Sequence, residues 1–123
     1  MSVSIYYEAR RAKPLSDAER AALEGIAEKY SVDERIREYV ETGRGLNWES
    51  FELSFEPRQT GVILQGATKP PDNTEDAAWT GIQHWCAALS EIRRRVADAS
   101  WRVSVEDHEI PWDESKAAYD PSK

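Results

Sequence analysis

The sequence predicts an α+β domain of the ferredoxin-like type: a βαββαβ chain with a four-stranded antiparallel sheet and two main helices on one face. An extra short helix and a short fifth strand are also expected. Three observations carry this. Three segments alternate apolar and polar residues with the period of a strand, and a fourth is a short apolar run of a central strand. Two others repeat apolar residues at helical spacing, and the order is strand, helix, strand, strand, helix, strand. Right-handed crossovers then place both helices on the same side of the sheet.

The first strand is expected near residues 2–9, where Val3, Ile5 and Tyr7 alternate with Ser4, Tyr6 and Glu8. Ser16-Asp-Ala-Glu19 has the form of a capping box. It opens a helix over 16–30 whose apolar stripe is Ala22, Leu23, Ile26 and Tyr30. Residues 31–48 stay open between readings: Asp33 to Glu41 fits a short helix closed by Gly43, or a strand. ESFELSFE predicts a strand over 49–56, with Phe51, Leu53 and Phe55 on one side and Ser50, Glu52, Ser54 and Glu56 on the other. PRQTG reads as a turn, and GVILQGA as a central strand over 61–67, apolar on both faces. A long helix over 74–98 buries Ala78, Ile82, Trp85, Cys86, Leu89, Ile92 and Val96. Its last turns carry Arg93, Arg94 and Arg95, where cations suit the helix dipole. The fourth strand spans 100–106 with Trp101, Val103 and Val105 inward. Residues 1–114 are read as one domain, and 115–123, which lose all periodicity, as a flexible tail.

Composition narrows the function classes. The net charge is −7, which repels nucleic acid and anionic membrane. The acid excess falls at 45–88 and 106–123, whereas 89–105 is basic. No apolar run approaches the ~20 residues of a membrane-spanning helix. The N-terminus has no basic region followed by an apolar stretch, and the single cysteine, Cys86, fits a reducing compartment, so the expected location is cytoplasmic.

The densest chemistry lies in VEDHEIPWDES at 105–115. Asp107, His108 and Glu109 are consecutive, so in an extended chain they splay to alternate faces and do not converge on a metal. A solvated acid-rich stretch is also the wrong environment for a shifted catalytic carboxyl. Ile110 and Trp112 alternate, so the stretch is expected to return as a short strand with acids outside. Cys86 reads as a buried thiol and His84 as a satisfied boundary residue among the small residues Gly81 and Ala88. GRG at 43–45 lacks the strand and helix of a phosphate loop. The sequence has no GxSxG, Walker or CxxC motif.

These features point to a non-enzymatic acidic module that binds a basic protein, most concretely an immunity or antitoxin-type inhibitor that neutralises a bacterial toxin. The expected contact residues are Glu106, Asp107, Glu109, Trp112, Asp113 and Glu114 in the acidic stretch, with Trp48, and Tyr6 and Glu52 on the free sheet face. No catalytic residue, metal or cofactor is expected, no nucleic acid or membrane partner, and a monomer or weak dimer. The alternatives are a small-ligand domain or small enzyme using the helix–sheet crevice, and an accessory subunit of a larger complex.

Overall fold

The computed structural model describes residues 3–51, 53–55 and 61–122. Its inner strand is β1 (Ile5–Arg10), which pairs antiparallel with β2 (Val62–Thr68) on one side and β3 (Ser100–Val105) on the other. A short β4 (His108–Glu109) lies outside β3, giving one four-stranded antiparallel sheet in the order β2-β1-β3-β4. The helices are α1 (Asp17–Lys29), α2 (Asp33–Thr42) and α3 (Ala77–Arg95). A separate two-stranded sheet joins β5 (Trp112–Asp113) to β6 (Ala118–Tyr119). The architecture is α+β and compatible with a ferredoxin-like arrangement.

The strand alternation decides what the sheet buries. Ile5, Tyr7 and Ala9 of β1 and Val103 of β3 are enclosed, in one cluster with Leu23 of α1 and Trp85, Leu89 and Ile92 of α3. The residues between them, Tyr6, Glu8, Arg10, Arg102 and Ser104, border a depression of about 620 Å³ with Gln65 and Ser54.

The expected second strand meets the sheet at one described point. Ser54 and Gln65 exchange two backbone hydrogen bonds of 2.9 and 3.1 Å, and the Thr68 hydroxyl donates to the Ser50 carbonyl at 2.8 Å. Glu52 and residues 56–60 lie outside the described residues. The alternation nevertheless identified the inward side, since Phe51, Leu53 and Phe55 pack on the core while Ser50 and Ser54 are exposed. The sheet reaches four strands through β4, which the sequence offers only as a short extra one.

Residues 31–48 resolve as α2 followed by a loop. Gly43, at φ 71°, closes the helix and donates its N–H to the Tyr39 carbonyl. That loop is clasped to the start of α3's approach: the Asn47 side-chain oxygen accepts from the Asp72 and Asn73 backbone N–H groups at 2.8 and 3.2 Å. A Cβ on Gly81 would overlap Pro71 and lie 2.8 Å from Pro70, so only glycine lets this segment seat on α3.

The N-terminus of α1 is fixed by the expected capping box, completed by Arg11. Ser16 Oγ accepts from the Glu19 N–H, and Glu19 accepts from the Ser16 N–H. Arg11, with a side chain 7% exposed, donates to both Glu19 oxygens at 2.8 and 3.0 Å and to Asp98 at 2.8 Å. Its remaining donors reach the Lys13 and Pro14 carbonyls. This fork-to-carboxylate pairing holds the Glu19 carboxyl down at about 2.

The C-terminal segment, expected from the sequence as a flexible tail at 115–123, contains β6 and lies against the domain over its described residues. The chain turns at Glu114–Ala117 and returns as β6, placing Tyr119 in the core. The Tyr119 N–H donates to the buried Ser90 hydroxyl at 2.9 Å, and Arg94 donates to the Ala117 carbonyl at 2.7 Å. Two residues per strand are too few for a periodic signal, so the segment shows no strand pattern in the sequence.

Candidate partner-binding surface

The acidic stretch is an arm built from two tight turns. The first, at Glu106-Asp107, reverses β3 into β4, and Glu106 adopts φ 54°. That left-handed residue is held by Ser4: its N–H donates to the Ser4 carbonyl at 2.9 Å, and its carboxylate accepts from the Ser4 N–H at 2.7 Å. Ile110 then drops into the core and donates its N–H to the Val103 carbonyl at 2.8 Å. The second turn follows β5. One oxygen of Asp113 accepts from the Ser115 N–H and hydroxyl and from the Lys116 N–H, at 2.9, 2.7 and 3.2 Å. These bonds, chiefly that of the Ser115 hydroxyl, hold the Asp113 carboxyl below its ordinary value.

The expected contact residues are therefore of two kinds. Glu106 and Asp113 shape the turns, and Glu109 pairs with Arg102 at 3.1 Å. Asp107 and Glu114 are exposed and hold no side-chain hydrogen bond or ion pair among the described residues. Trp112 is half-buried: the Arg93 guanidinium lies 4.2 Å over its ring, and Tyr119 meets it edge-on at 5.0 Å. Arg93 also donates to the Tyr119 hydroxyl at 3.2 Å. Its sequence position explains it as a helix-dipole partner, and nothing there signals this second task.

The arm is continuous with the open face of the sheet. Tyr6 stands opposite Ala67 and Ser104, and Ser104 stands opposite Glu109, so one row crosses all four strands. Two strand spacings, about 10 Å, separate Tyr6 from Glu109. Tyr6 is 47% exposed. The structure thus brings Tyr6, Arg102 and Glu109 together with the Glu106-Asp107 turn. It does not bring Trp48 there. Trp48 is 7% exposed and makes edge-on ring contacts with His84 and Trp85. Glu52 lies outside the described residues. The exposed tryptophan is Trp79, at 44% on the first turn of α3, a residue the sequence places only at the edge of that helix's apolar face.

Elsewhere the chemistry is muted. Burial pushes the Cys86 thiol up to about 12, far from a reactive thiolate. Its neighbour Ser90 is occupied on both sides, donating to the Cys86 carbonyl and accepting from Tyr119. Among the described residues no three histidine, cysteine or carboxylate side chains converge as a metal site would require, and no helix is long and apolar enough to cross a membrane. The chain matches no protein-family model, no curated protein and no solved structure.

Proposed function

We propose that the chain is a non-enzymatic, acidic protein-binding module whose partner is basic, and that its most concrete role is that of an immunity or antitoxin-type inhibitor covering the cationic site of a toxin. One observation carries this reading: the acidic arm is preorganised. It is tied to β1 through Ser4, to the core through Ile110 and Tyr119, and to α3 through Arg93 and Arg94. Carboxylates on so fixed a frame lose little freedom on meeting a partner. Asp107 and Glu114 have their charge uncommitted, and Tyr6 supplies an exposed aromatic ring in the same cross-strand row as Glu109. The net charge of −7 supports attraction of a cationic surface at long range. On this reading the protein acts as a monomer or weak dimer in the cytoplasm. The bridge between Ser54 and Gln65 further supports a βαββαβ fold in which 49–56 forms the edge strand beside β2.

The test is binding kinetics against the basic protein recovered with the native chain. The variant Asp107→Lys with Glu114→Lys should associate more slowly and lose much of its salt dependence, with little change in dissociation. Tyr6→Ala should instead speed dissociation, by about 2 kcal/mol if the ring is an anchor. If both variants bind like the parent, the arm is not the contact surface.

A further inference from the structure

α2 is the only one of the three helices with no buried residue. Val40 on its outer side is 76% exposed. Two surface depressions flank it, one of about 500 Å³ beside Ile36 and Glu49 and one of about 330 Å³ beside Arg35, Glu38 and Leu46, with Trp48 in the wall of each. What holds α2 is the buried Val32 at its start, the partly buried Ile36, and Arg35, whose guanidinium lies 5.3 Å over the Trp48 ring. Trp48 in turn rests on His84, ring to ring at 5.0 Å and 68°. His84 meets Tyr30 and Trp85 in the same edge-on manner, and its Nε2 lies 2.8 Å from the Tyr30 carbonyl that ends α1. As that carbonyl only accepts, Nε2 donates, and an added proton must go to Nδ1.

We propose that His84 is a proton-operated latch: its neutral ring keeps Trp48 and, through Arg35, α2 seated, and its charging releases them. The geometry sets the direction. An imidazolium and the Arg35 guanidinium would lie on the one indole, repelling each other and drawing on the same π electrons. The bond to Tyr30 survives protonation, so the ring stays in place and the strain falls on Arg35 and Trp48. The other charges near this cluster do not cancel it. Lys29 from α1, 5.5 Å over the Tyr30 ring, adds positive charge and is already paired with Glu91. Glu38 of α2 shares its depression with both Arg35 and Arg44, and Glu49 lines the other one with Lys69. Burial and Arg35 both favour the neutral ring, against the hydrogen bond to Tyr30, so release belongs below His84's ordinary titration range.

The experiment is hydrogen exchange of the intact chain between pH 7.5 and 5, corrected for intrinsic rates, with tryptophan fluorescence in parallel. Peptides covering 33–48 should lose protection several-fold on acidification while those covering β1 and β3 do not, and His84→Gln, which can still donate to Tyr30, should abolish the pH response. Because that variant also alters packing, the His84 ring is titrated by NMR in the parent and in Arg35→Met. Removing the cation should move its midpoint upward and shrink the loss of protection. A pH response unchanged in His84→Gln, a loss spread evenly over the molecule, or a His84 midpoint indifferent to Arg35 would each overturn the latch.

Discussion

Trp85 is wholly enclosed, with Phe51 stacked at 5.0 Å and the rings of Trp48 and His84 edge-on around it. Its Nε1 is the one buried side-chain polar atom without a hydrogen-bond partner among the described residues. The side chain is retained for its volume and ring contacts, since its donor contributes no bond. Trp85→Ala should therefore cost about 3–5 kcal/mol in a denaturant melt. Trp85→Phe, which removes the unsatisfied N–H but also part of the ring, should cost far less. Were the two equally damaging, the N–H would have a partner after all. At this scale the sequence is a good guide where one helix decides the outcome: Trp85, Leu89 and Ile92 follow from their spacing. It is a poor guide where contact depends on a loop. Trp48 looked free beside Glu49 because nothing local shows that the Asn47 clasp turns it inward against α3.

Among the elements, the β5–β6 hairpin shows the same limit from the other side. Its strands are too short to leave a pattern, and its anchors come from α3: Ser90, Arg93 and Arg94. The Arg93 guanidinium, set between Trp112 and Tyr119, replaces the longer ladder that a free-standing hairpin would need. Arg93→Ala should open residues 112–120 to limited proteolysis and raise their hydrogen exchange, leaving the β1–β3 ladder protected. If the hairpin stays closed, Ser90 and Arg94 suffice. The longer elements were legible because each carries its own signal. The capping box marks the start of α1, and the alternation of β1 and β3 marks their buried faces. The 49–55 segment has the alternation of a strand and, among the described residues, meets the ladder at Ser54; periodicity reports burial and not pairing.

Across the whole molecule, Arg11 ties three regions to one another: the end of β1, the first turn of α1 through Glu19, and the approach to β3 through Asp98. The pH dependence follows from Glu19. Its carboxyl is depressed from 4.5 to about 2 in the folded chain, so the unfolded chain binds the proton more readily between those values. The stabilisation is complete above pH 4.5 and is lost as pH falls towards 2. Glu19→Gln should lower the melting temperature at pH 7 and flatten its decline over that acid window, and parallel curves for parent and variant would show that the clasp is not the acid-sensitive joint.

The inner position of β1 has one more consequence, which concerns time. A strand at residues 5–10 finds its partners in β2 and β3, at 62–68 and 100–105. During synthesis the helices can form as they emerge, but β1 waits until residues 100–105 have emerged before both its edges are covered. Loop closures that long make folding slow relative to helical proteins of this size. While it waits, the alternating IYYEA segment presents bare strand edges to any neighbour. Glu8 and Arg10, which pair with each other at 2.8 Å in the finished sheet, place charge on that exposed strand, so the residues that border the open face afterwards also guard the chain before the sheet closes.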